Sequence, residues 1–166
     1  MVNGELEEIY IKYNKELYLY VFSLCKNHHI AEEIVSETFY RALISINICE
    51  SHIKLWLLRV AKNLWFDGIR RNKYTLDKPI EEMNLDSHTN ILDQFIYEDK
   101  RKFIYKSLLK LPQNYKDIMV LYYYCDFSLK DISLMLNISY SSSRTLLHRA
   151  RRKLKNIMEA NGYEQF

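Results

Sequence analysis

The stretch SLKDISLMLNISYSSSRTLLHRARRKLK, residues 128–155, decides the fold of the second half of the chain. Ser128 is followed three residues later by Asp131, a capping-box pattern that predicts the start of a helix. Asn137 tolerates the left-handed conformation that a helix C-cap requires, and Ser139 predicts the N-cap of a second helix. The pattern therefore indicates two helices separated by a tight turn.

The two predicted helices differ in charge. The first has a core face of Leu129, Ile132, Ser133 and Leu136. The second has a core face of Leu146, Leu147, Ala150 and Leu154, and its other faces carry Arg144, Thr145, His148, Arg149, Arg151, Arg152, Lys153 and Lys155. A short helix, a tight turn and a basic helix are typical of a helix-turn-helix whose second helix lies in the major groove of DNA. The alternative at this point is a basic surface helix in an ordinary helical hairpin.

Charge is distributed in three blocks along the chain. Residues 1–74 carry 10 basic and 9 acidic side chains, a net charge of +1, whereas residues 75–99 carry 1 and 7, a net charge of −6. Residues 100–166 carry 13 basic and 5 acidic side chains, a net charge of +8. The basic C-terminal block suits a polyanionic partner.

The composition favours an all-α fold. Only three glycines and two prolines occur among 166 residues, so sharp turns are few, and 48% apolar residues suffice for packed cores. The cysteines, Cys25, Cys49 and Cys125, are odd in number and lack CxxC spacing, which favours a reducing compartment. Neither a signal peptide nor an apolar run of the roughly 20 residues that span a membrane is present. We therefore expect a cytoplasmic protein without membrane insertion.

Motifs for catalysis and cofactor binding do not occur in the sequence. It has no Gly-rich phosphate loop, no HExxH and no nucleophile elbow. Cys25 with His28 and His29 lacks the second ligand pair that a structural metal site needs. We therefore predict no catalytic residue, no metal and no cofactor, and expect that the chain is not an enzyme.

Apolar residues at three- and four-residue steps predict three helices in the first 74 residues. The first helix has a core face of Leu6, Ile9, Tyr10, Tyr13, Leu17, Val21 and Leu24, and it breaks at residues 27–30. The inward-facing residues of the second are Ile34, Val35, Thr38, Phe39, Ala42 and Leu43. Residues 47–51 then form a loop, and the third helix runs from about residue 51 to residue 72.

The third predicted helix combines a core stripe with a basic side. The core stripe is Ile53, Trp56, Leu57, Val60, Ala61, Leu64 and Ile69, and the basic side holds Arg59, Lys62, Arg70, Arg71 and Lys73. Cationic and aromatic side chains together hold a phosphate backbone and stack unpaired bases. Trp56 and Phe66 are predicted core residues. The position of Trp65 stays open, because Leu64 and Ile69 already fill the inward stripe.

The helical period is lost over residues 75–99, where Pro79 and seven acidic side chains occur. A structureless stretch of this length is uncommon inside a compact domain, so it predicts a flexible acidic linker. Beyond it, one helix ends at Pro112 and another begins there, with inward residues Phe103, Ile104, Leu108 and Leu111 in the first and Ile118, Met119, Leu121 and Tyr122 in the second. The predicted architecture is two small helical domains, residues 1–74 and 100–166, joined by the linker.

Two blocks of residues resemble a known family. Ala31-Glu32-Glu33-Ile34-Val35, Glu37-Thr38-Phe39, Trp56-Leu57 with Arg59, Ala61-Lys62-Asn63-Leu64, and Asp67 with Arg70-Arg71 make up the first block. It is similar to the second conserved region of extracytoplasmic-function (ECF) sigma factors. The second block, similar to the fourth region of that family, comprises Leu111-Pro112, Asp131-Ile132-Ser133, Ser139 and Arg149-Ala150-Arg151. The resemblance covers nearly the whole chain, in the right order and with an acidic gap between the blocks.

The resemblance implies an alternative-type bacterial sigma factor, a subunit that directs core RNA polymerase to promoters. The first domain would dock on the clamp coiled coil of the β′ subunit through Glu33, Glu37 and Arg41. It would also melt and read the −10 element. The residues implied in this role are a base-reading loop of Asn47, Ile48, Cys49, Glu50 and Ser51, and the strand-holding residues Lys62, Asn63, Arg70 and Arg71.

The second domain would contact the β flap and read the −35 element as a duplex. The implied base-reading residues are Ser141, Ser142, Arg144, Thr145 and His148, with Arg149, Arg151 and Arg152 nearer the phosphates. Ser143 stands where the family usually has an apolar β-branched residue, and Leu146 where it commonly has a basic one. Family behaviour makes an anti-sigma factor a further candidate partner. The alternatives are a conventional helix-turn-helix regulator that binds duplex operator DNA as a dimer, and a helical adaptor whose partner is a protein.

Overall fold

The computed structural model describes residues 2–45, 50–74 and 89–162, which form helices and turns with no strand among them. The chain divides into two compact units, unit 1 (Met1–Asp77) and unit 2 (Lys78–Phe166). Unit 1 contains α1 (Val2–Cys25), α2 (His28–Ile44), a 3-10 turn (Glu50–His52) and α3 (Ile53–Arg70). Unit 2 contains α4 (Thr89–Phe95), α5 (Asp99–Leu108), α6 (Gln113–Tyr123), α7 (Leu129–Leu136) and α8 (Tyr140–Ala160). The predicted all-α class is confirmed.

The core of unit 1 lies where α1, α2 and α3 pack against one another. Every residue of α1 from 17 to 25 is buried, because apolar side chains surround the helix there and such a helix is stable only inside a protein. Five of the six predicted core residues of α2 are buried, together with Ala31, which was not predicted; Leu43 is 39% exposed, and the prediction for it is wrong. Phe39 and Ala42 already fill the inward face in the last turn of α2, and Leu43 lies about 100° around the helix from Ala42.

The junction between α1 and α2 is shorter than predicted. α2 begins at His28, because the Oδ1 of Asn27 accepts a hydrogen bond from the Ile30 N–H at 3.1 Å and caps the helix. The break predicted over residues 27–30 is thereby reduced to two residues, 26 and 27. In the predicted loop of residues 47–51, residues 47–49 lie outside the described part, and Glu50 and Ser51 belong to the 3-10 turn.

The core stripe of α3 is rotated from the predicted one. Its buried residues are Ile53, Leu57, Leu58, Ala61, Trp65 and Gly68, whereas Trp56, Val60, Leu64 and Ile69 are only half-buried. Apolar residues occupy more than one sector of this helix, and both sectors have helical spacing. Spacing alone therefore does not decide which sector faces α1 and α2.

The first helix that the structure describes in unit 2, α4, was not predicted from the sequence pattern. Leu92 and Ile96 of α4 are buried, and Asp93 forms an ion pair with Lys102 of α5. The prediction of a structureless linker over residues 75–99 is therefore wrong over residues 89–95, while residues 75–88 lie outside the described part. The apolar spacing of Leu92, Phe95 and Ile96 covers little more than one turn, too short to be distinguished from the acidic sequence around it.

The remaining core of unit 2 lies beneath α8, which packs against α5, α6 and α7. Tyr105 and Leu109 are fully buried although they were not among the predicted core residues, and Phe103 and Ile104 are half-buried. Leu147, Ala150 and Leu154 of α8 are buried as predicted, whereas Leu146 is half-buried. Ser143 is fully buried, and its hydroxyl donates a hydrogen bond to the Tyr140 carbonyl at 2.6 Å.

The helix-turn-helix has the predicted caps. The Ser128 Oγ accepts a hydrogen bond from the Asp131 N–H at 3.1 Å and donates one to the Asp131 carboxylate at 2.9 Å. Asn137 closes α7 in the left-handed conformation, with φ of 55°. Ser139 caps α8 by accepting a hydrogen bond from the Ser142 N–H at 3.1 Å. These three local predictions are confirmed, and they fix how α8 leaves the turn.

Candidate nucleic-acid interfaces

An exposed stripe runs along α3 on the side away from its core. We call it the α3 stripe; its members are Arg59, Lys62, Asn63, Phe66 and Arg70, whose spacing puts them on one helix face, and all but the half-buried Lys62 are exposed. Phe66 is 39% exposed, so the prediction that it lies in the core is wrong. It lies between cationic residues on both sides, and Arg70 forms an ion pair with Asp67. The stripe therefore offers positive charge around an exposed aromatic ring.

Trp65, the residue left open by the sequence, lies in the core with 3% exposure. The chain after α3 folds back at Asn72, whose φ is 55°, and places the Tyr74 ring parallel to the Trp65 indole with centroids 5.5 Å apart. Gly68 allows this approach, because a Cβ at that position would collide with the Tyr74 ring. The glycine inside a good helical pattern was the available signal for this contact.

A row of residues on the outer face of α2 contains all three predicted polymerase-binding residues. We call it the α2 row: Glu33, Glu37, Tyr40, Arg41 and Ile44. Arg41 donates to Glu37 at 2.9 Å, and Tyr40 and Ile44 are 57% and 58% exposed. The side chains of Lys73 and Tyr74 both donate hydrogen bonds to Glu33. The hydrogen bond from Lys73 is the main reason that the pKa of the Glu33 carboxyl lies below its usual value.

An open groove of about 700 Å³ separates the α2 row from the C-terminal half of α3. Its lining includes Glu37, Tyr40, Asp67, Arg71 and Tyr74. Both signs of charge line it, together with aromatic rings, which suits a folded protein surface better than a polyanion. Arg71 therefore lies in the groove, apart from Lys62, Asn63 and Arg70 of the α3 stripe with which it was grouped.

The outer face of α8 carries most of the predicted duplex-binding residues. We call its central part the α8 stripe: Ser141, Thr145, His148, Arg149 and Arg152, all exposed and on one face. Ser142 and Arg144 flank the stripe on its two sides and are exposed too. Among the described residues, Arg144, Arg149 and Arg152 have no acidic partner, so their charge is available to a ligand.

Arg151 lies apart from the α8 stripe. Its Nε donates a hydrogen bond to the Tyr123 hydroxyl at 2.6 Å, and its guanidinium lies 5.6 Å from the ring centroids of both Tyr122 and Tyr123. These contacts join α8 to α6 by a cation–π interaction and a hydrogen bond. Arg151 lies on the same flank of α8 as Arg144, two turns further along, and is the one of the eight predicted duplex-binding residues whose side chain is seen to contact α6.

A second groove, of about 860 Å³, lies between α5, α6 and the C-terminal half of α8. Its floor includes the buried side chains of Met119, Leu154 and Met158. Cationic residues of its rim are Lys100, Arg101, Arg151 and Lys155. An apolar floor with a charged rim is the kind of groove that accepts an amphipathic helix.

The residues weighed for a metal site have other partners. The Cys25 thiol donates to the Asn27 carbonyl at 3.3 Å, and His28 shares a hydrogen bond of 2.8 Å with the Tyr18 hydroxyl. Over the described ranges, no cluster of His, Cys, Asp and Glu residues is arranged to hold a metal ion. Within the same ranges, none of the helices is long and apolar enough to cross a membrane.

Comparison with known proteins supports the resemblance in both units. Residues 9–75 match the family model described as Sigma-70 region 2, and residues 104–154 match the one described as Sigma-70, region 4. The ECF RNA polymerase sigma factor SigM of Bacillus subtilis (strain 168) is 31% identical over 158 residues, covering 92% of this chain and 94% of that protein. SigW of the same organism, also an ECF RNA polymerase sigma factor, is 33% identical over 156 residues, covering 86% and 83%.

A solved structure shares the fold at low sequence identity. It is the sigma factor RpoE of Bartonella quintana, crystallised with the anti-sigma factor NepR. The TM-score is 0.66 at 17% identity, over 93% of this chain and 97% of that one. Relatives matched along almost their full length, together with both family regions in the expected order, confirm the resemblance. The chain belongs to the extracytoplasmic-function group of the sigma-70 family, the alternative sigma factors that direct RNA polymerase to promoters.

Proposed function

We propose that this sigma factor recognises its promoter through two different surfaces, one on each unit, and has no catalysis of its own. The observation that carries the proposal is the difference between the α3 and α8 stripes. Hydroxyl, imidazole and guanidinium groups, which suit the edges of paired bases, make up the α8 stripe. The α3 stripe carries cations around an exposed phenylalanine, which suits unpaired bases.

The α8 stripe would bind the −35 element as a duplex. In helix-turn-helix proteins the N-terminal residues of the second helix approach the base edges, which here are Ser141, Ser142, Arg144, Thr145 and His148. Arg149 and Arg152 lie further along the helix, where they would contact phosphates. We leave Arg151 out of this set because its guanidinium is engaged by Tyr122 and Tyr123.

The α3 stripe would hold the non-template strand of the melted −10 element. Lys62, Asn63 and Arg70 would contact the backbone, and Phe66 would stack on an unpaired base. By family resemblance, a flipped base would enter the loop predicted over residues 47–51, on the N-terminal side of α3. Arg71, also expected to hold the strand, would reach it only from the groove beside the α2 row.

Two further surfaces would bind core RNA polymerase. The α2 row combines paired charges with the exposed Tyr40 and Ile44, the mixture typical of transient protein interfaces, and would meet the β′ clamp coiled coil. The apolar groove of unit 2 would meet the β flap. This assignment is supported by its position at the C-terminal half of α8, away from the N-terminal half that would bind DNA.

Run-off transcription with core polymerase and a promoter library tests the proposal. We expect the chain alone to bind promoter DNA weakly, because each unit offers few base contacts. The holoenzyme should start transcripts from one −35/−10 pair, and a template premelted at −10 should reduce the requirement for the α3 stripe. Tight, operator-specific binding by a dimer without polymerase would contradict the proposal and favour a conventional helix-turn-helix regulator.

A further inference from the structure

Tyr140 is the first residue of α8 and has no role in the surfaces described above. Its side chain is 55% exposed. Over the described part of the chain, neither its ring nor its hydroxyl has a hydrogen-bonding or stacking partner. Its backbone is fixed, however, because its carbonyl accepts the hydrogen bond from the buried Ser143 hydroxyl at 2.6 Å. An aromatic side chain is thus held at the tip of the helix without a contact of its own.

We propose that Tyr140 determines specificity in the −35 duplex by packing its ring against the C5-methyl group of a thymine. The inference rests on the proposed function of the α8 stripe. The first residues of the second helix approach the base edges in this docking geometry. Thymine's methyl is the only apolar group on the major-groove edge of the base pairs, so it is the group against which an exposed ring can bury apolar surface.

Tyr140 has the largest apolar surface among the exposed residues at the start of α8. Ser141, Ser142 and Arg144 follow it in the first turns of α8 and offer polar groups, and Thr145, five residues on, adds a single methyl group, which is much smaller than the Tyr140 ring. Arg144 lies one turn after Tyr140 and would contact the polar edge of an adjacent base pair. Leu134 is similarly exposed, at 57%, but it belongs to α7. The first helix of this motif crosses the DNA backbone, so Leu134 serves as the matched control.

The test uses holoenzyme made with the full chain, on a promoter found by run-off transcription. Each thymine of the −35 element, on both strands, is replaced singly by uracil, which lacks only the methyl group. At one position we expect the wild-type holoenzyme to lose about fourfold in promoter affinity, the value of one buried methyl-sized group. Tyr140→Ala should be weaker on the thymine promoter and insensitive to the uracil there. Tyr140→Phe and Leu134→Ala should keep the wild-type sensitivity.

Three results would overturn the inference. The first is a −35 element in which no thymine methyl contributes to wild-type binding. The second is Tyr140→Ala holoenzyme that keeps the full sensitivity to uracil. The third is an equal loss of promoter affinity in the Tyr140→Phe and Tyr140→Ala holoenzymes, with neither variant sensitive to uracil. That result would indicate a contact from the tyrosine hydroxyl to a phosphate. A holoenzyme that ignores the −35 sequence altogether would instead contradict the proposed function of α8.

Discussion

The helices α3 and α8 both carry an excess of positive charge, four basic side chains against one acidic in α3 and six against one in α8, but they present it differently. Along the α3 stripe, Arg70 pairs with Asp67, and an exposed phenylalanine occupies the middle. Along the α8 stripe, Arg149 and Arg152 have no acidic partner within the described residues, and the positions between them and the helix start are hydroxyl and imidazole side chains. Both helices attract a polyanion, so charge alone does not distinguish their roles.

The chemistry between the cations distinguishes them. A phenylalanine offers nothing to the hydrogen-bonding edge of a base pair, but it stacks on the face of an unpaired base, whatever the base is. Serine, threonine, histidine and arginine read edges, and edges are accessible in a duplex major groove. The difference between the stripes therefore supports a division of labour in which unit 2 binds duplex DNA and unit 1 binds melted DNA.

The largest expected effect is on stability. It tests whether the buried Trp65 contributes far more to the free energy of unfolding than the exposed Phe66. Trp65→Ala should destabilise unit 1 by about 3–5 kcal/mol, because it removes a buried ring that stacks on Tyr74. Phe66→Ala should change the free energy of unfolding by less than about 1 kcal/mol. Urea unfolding followed by tryptophan fluorescence reports on unit 1 alone, since both tryptophans, Trp56 and Trp65, lie there. Similar losses for the two variants would remove the distinction.

The second prediction concerns what Phe66 does on the surface. Phe66→Ala should weaken holoenzyme binding to a single-stranded −10 oligonucleotide by about 1–3 kcal/mol, the value of one base stacked on an aromatic ring. Phe66→Tyr should restore binding, because the stacking face is kept. Tyr97→Ala, which removes an 83% exposed ring from unit 2, is the control and should have no effect. A loss that is equally large on the −35 duplex would argue against a stacking role.

The residues that sequence could assign are those whose partners are near in the chain. Ser128, Asn137 and Ser139 act on backbone groups within three to five residues, so the pattern of residue types was sufficient to place both ends of the turn. The caps were therefore predicted correctly. They depend on local chemistry, which a single sequence displays directly.

The placements that the sequence left undecided depend on partners far away in the chain. Trp65 is buried because Tyr74 covers it, and Tyr74 is in turn held by Glu33, 41 residues earlier. The Arg151 side chain contacts α6 because Tyr123, 28 residues earlier, accepts its hydrogen bond. A helical pattern gives the faces of one helix, but it does not say which face meets a neighbour.

The third prediction examines how unit 2 reads a duplex. Arg144→Ala should reduce the free energy of binding to the −35 element by about 1–3 kcal/mol. It should also relax the base preference at one position of that element, because arginine contacts a base edge specifically. Transcription from a library of −35 variants measures both the loss and the preference. If every sequence loses equally, Arg144 is a phosphate contact, and the flank of the α8 stripe positions the helix without reading sequence.

The smallest expected effect distinguishes the roles of two adjacent arginines, Arg152 in binding phosphate and Arg151 in holding α8 against α6. Arg152→Ala should lower the slope of log affinity against log salt by about 1, because one phosphate contact is lost, and leave folding unchanged. Arg151→Ala should leave that slope unchanged and cost about 0.5–1 kcal/mol of unfolding free energy, because its contacts with Tyr122 and Tyr123 are internal to unit 2. Salt titration of promoter binding, together with thermal unfolding, measures both quantities on the same two variants. If Arg151→Ala also lowered the salt slope by about 1, the guanidinium would exchange its tyrosines for a phosphate on binding. The duplex surface would then extend to the edge of the apolar groove.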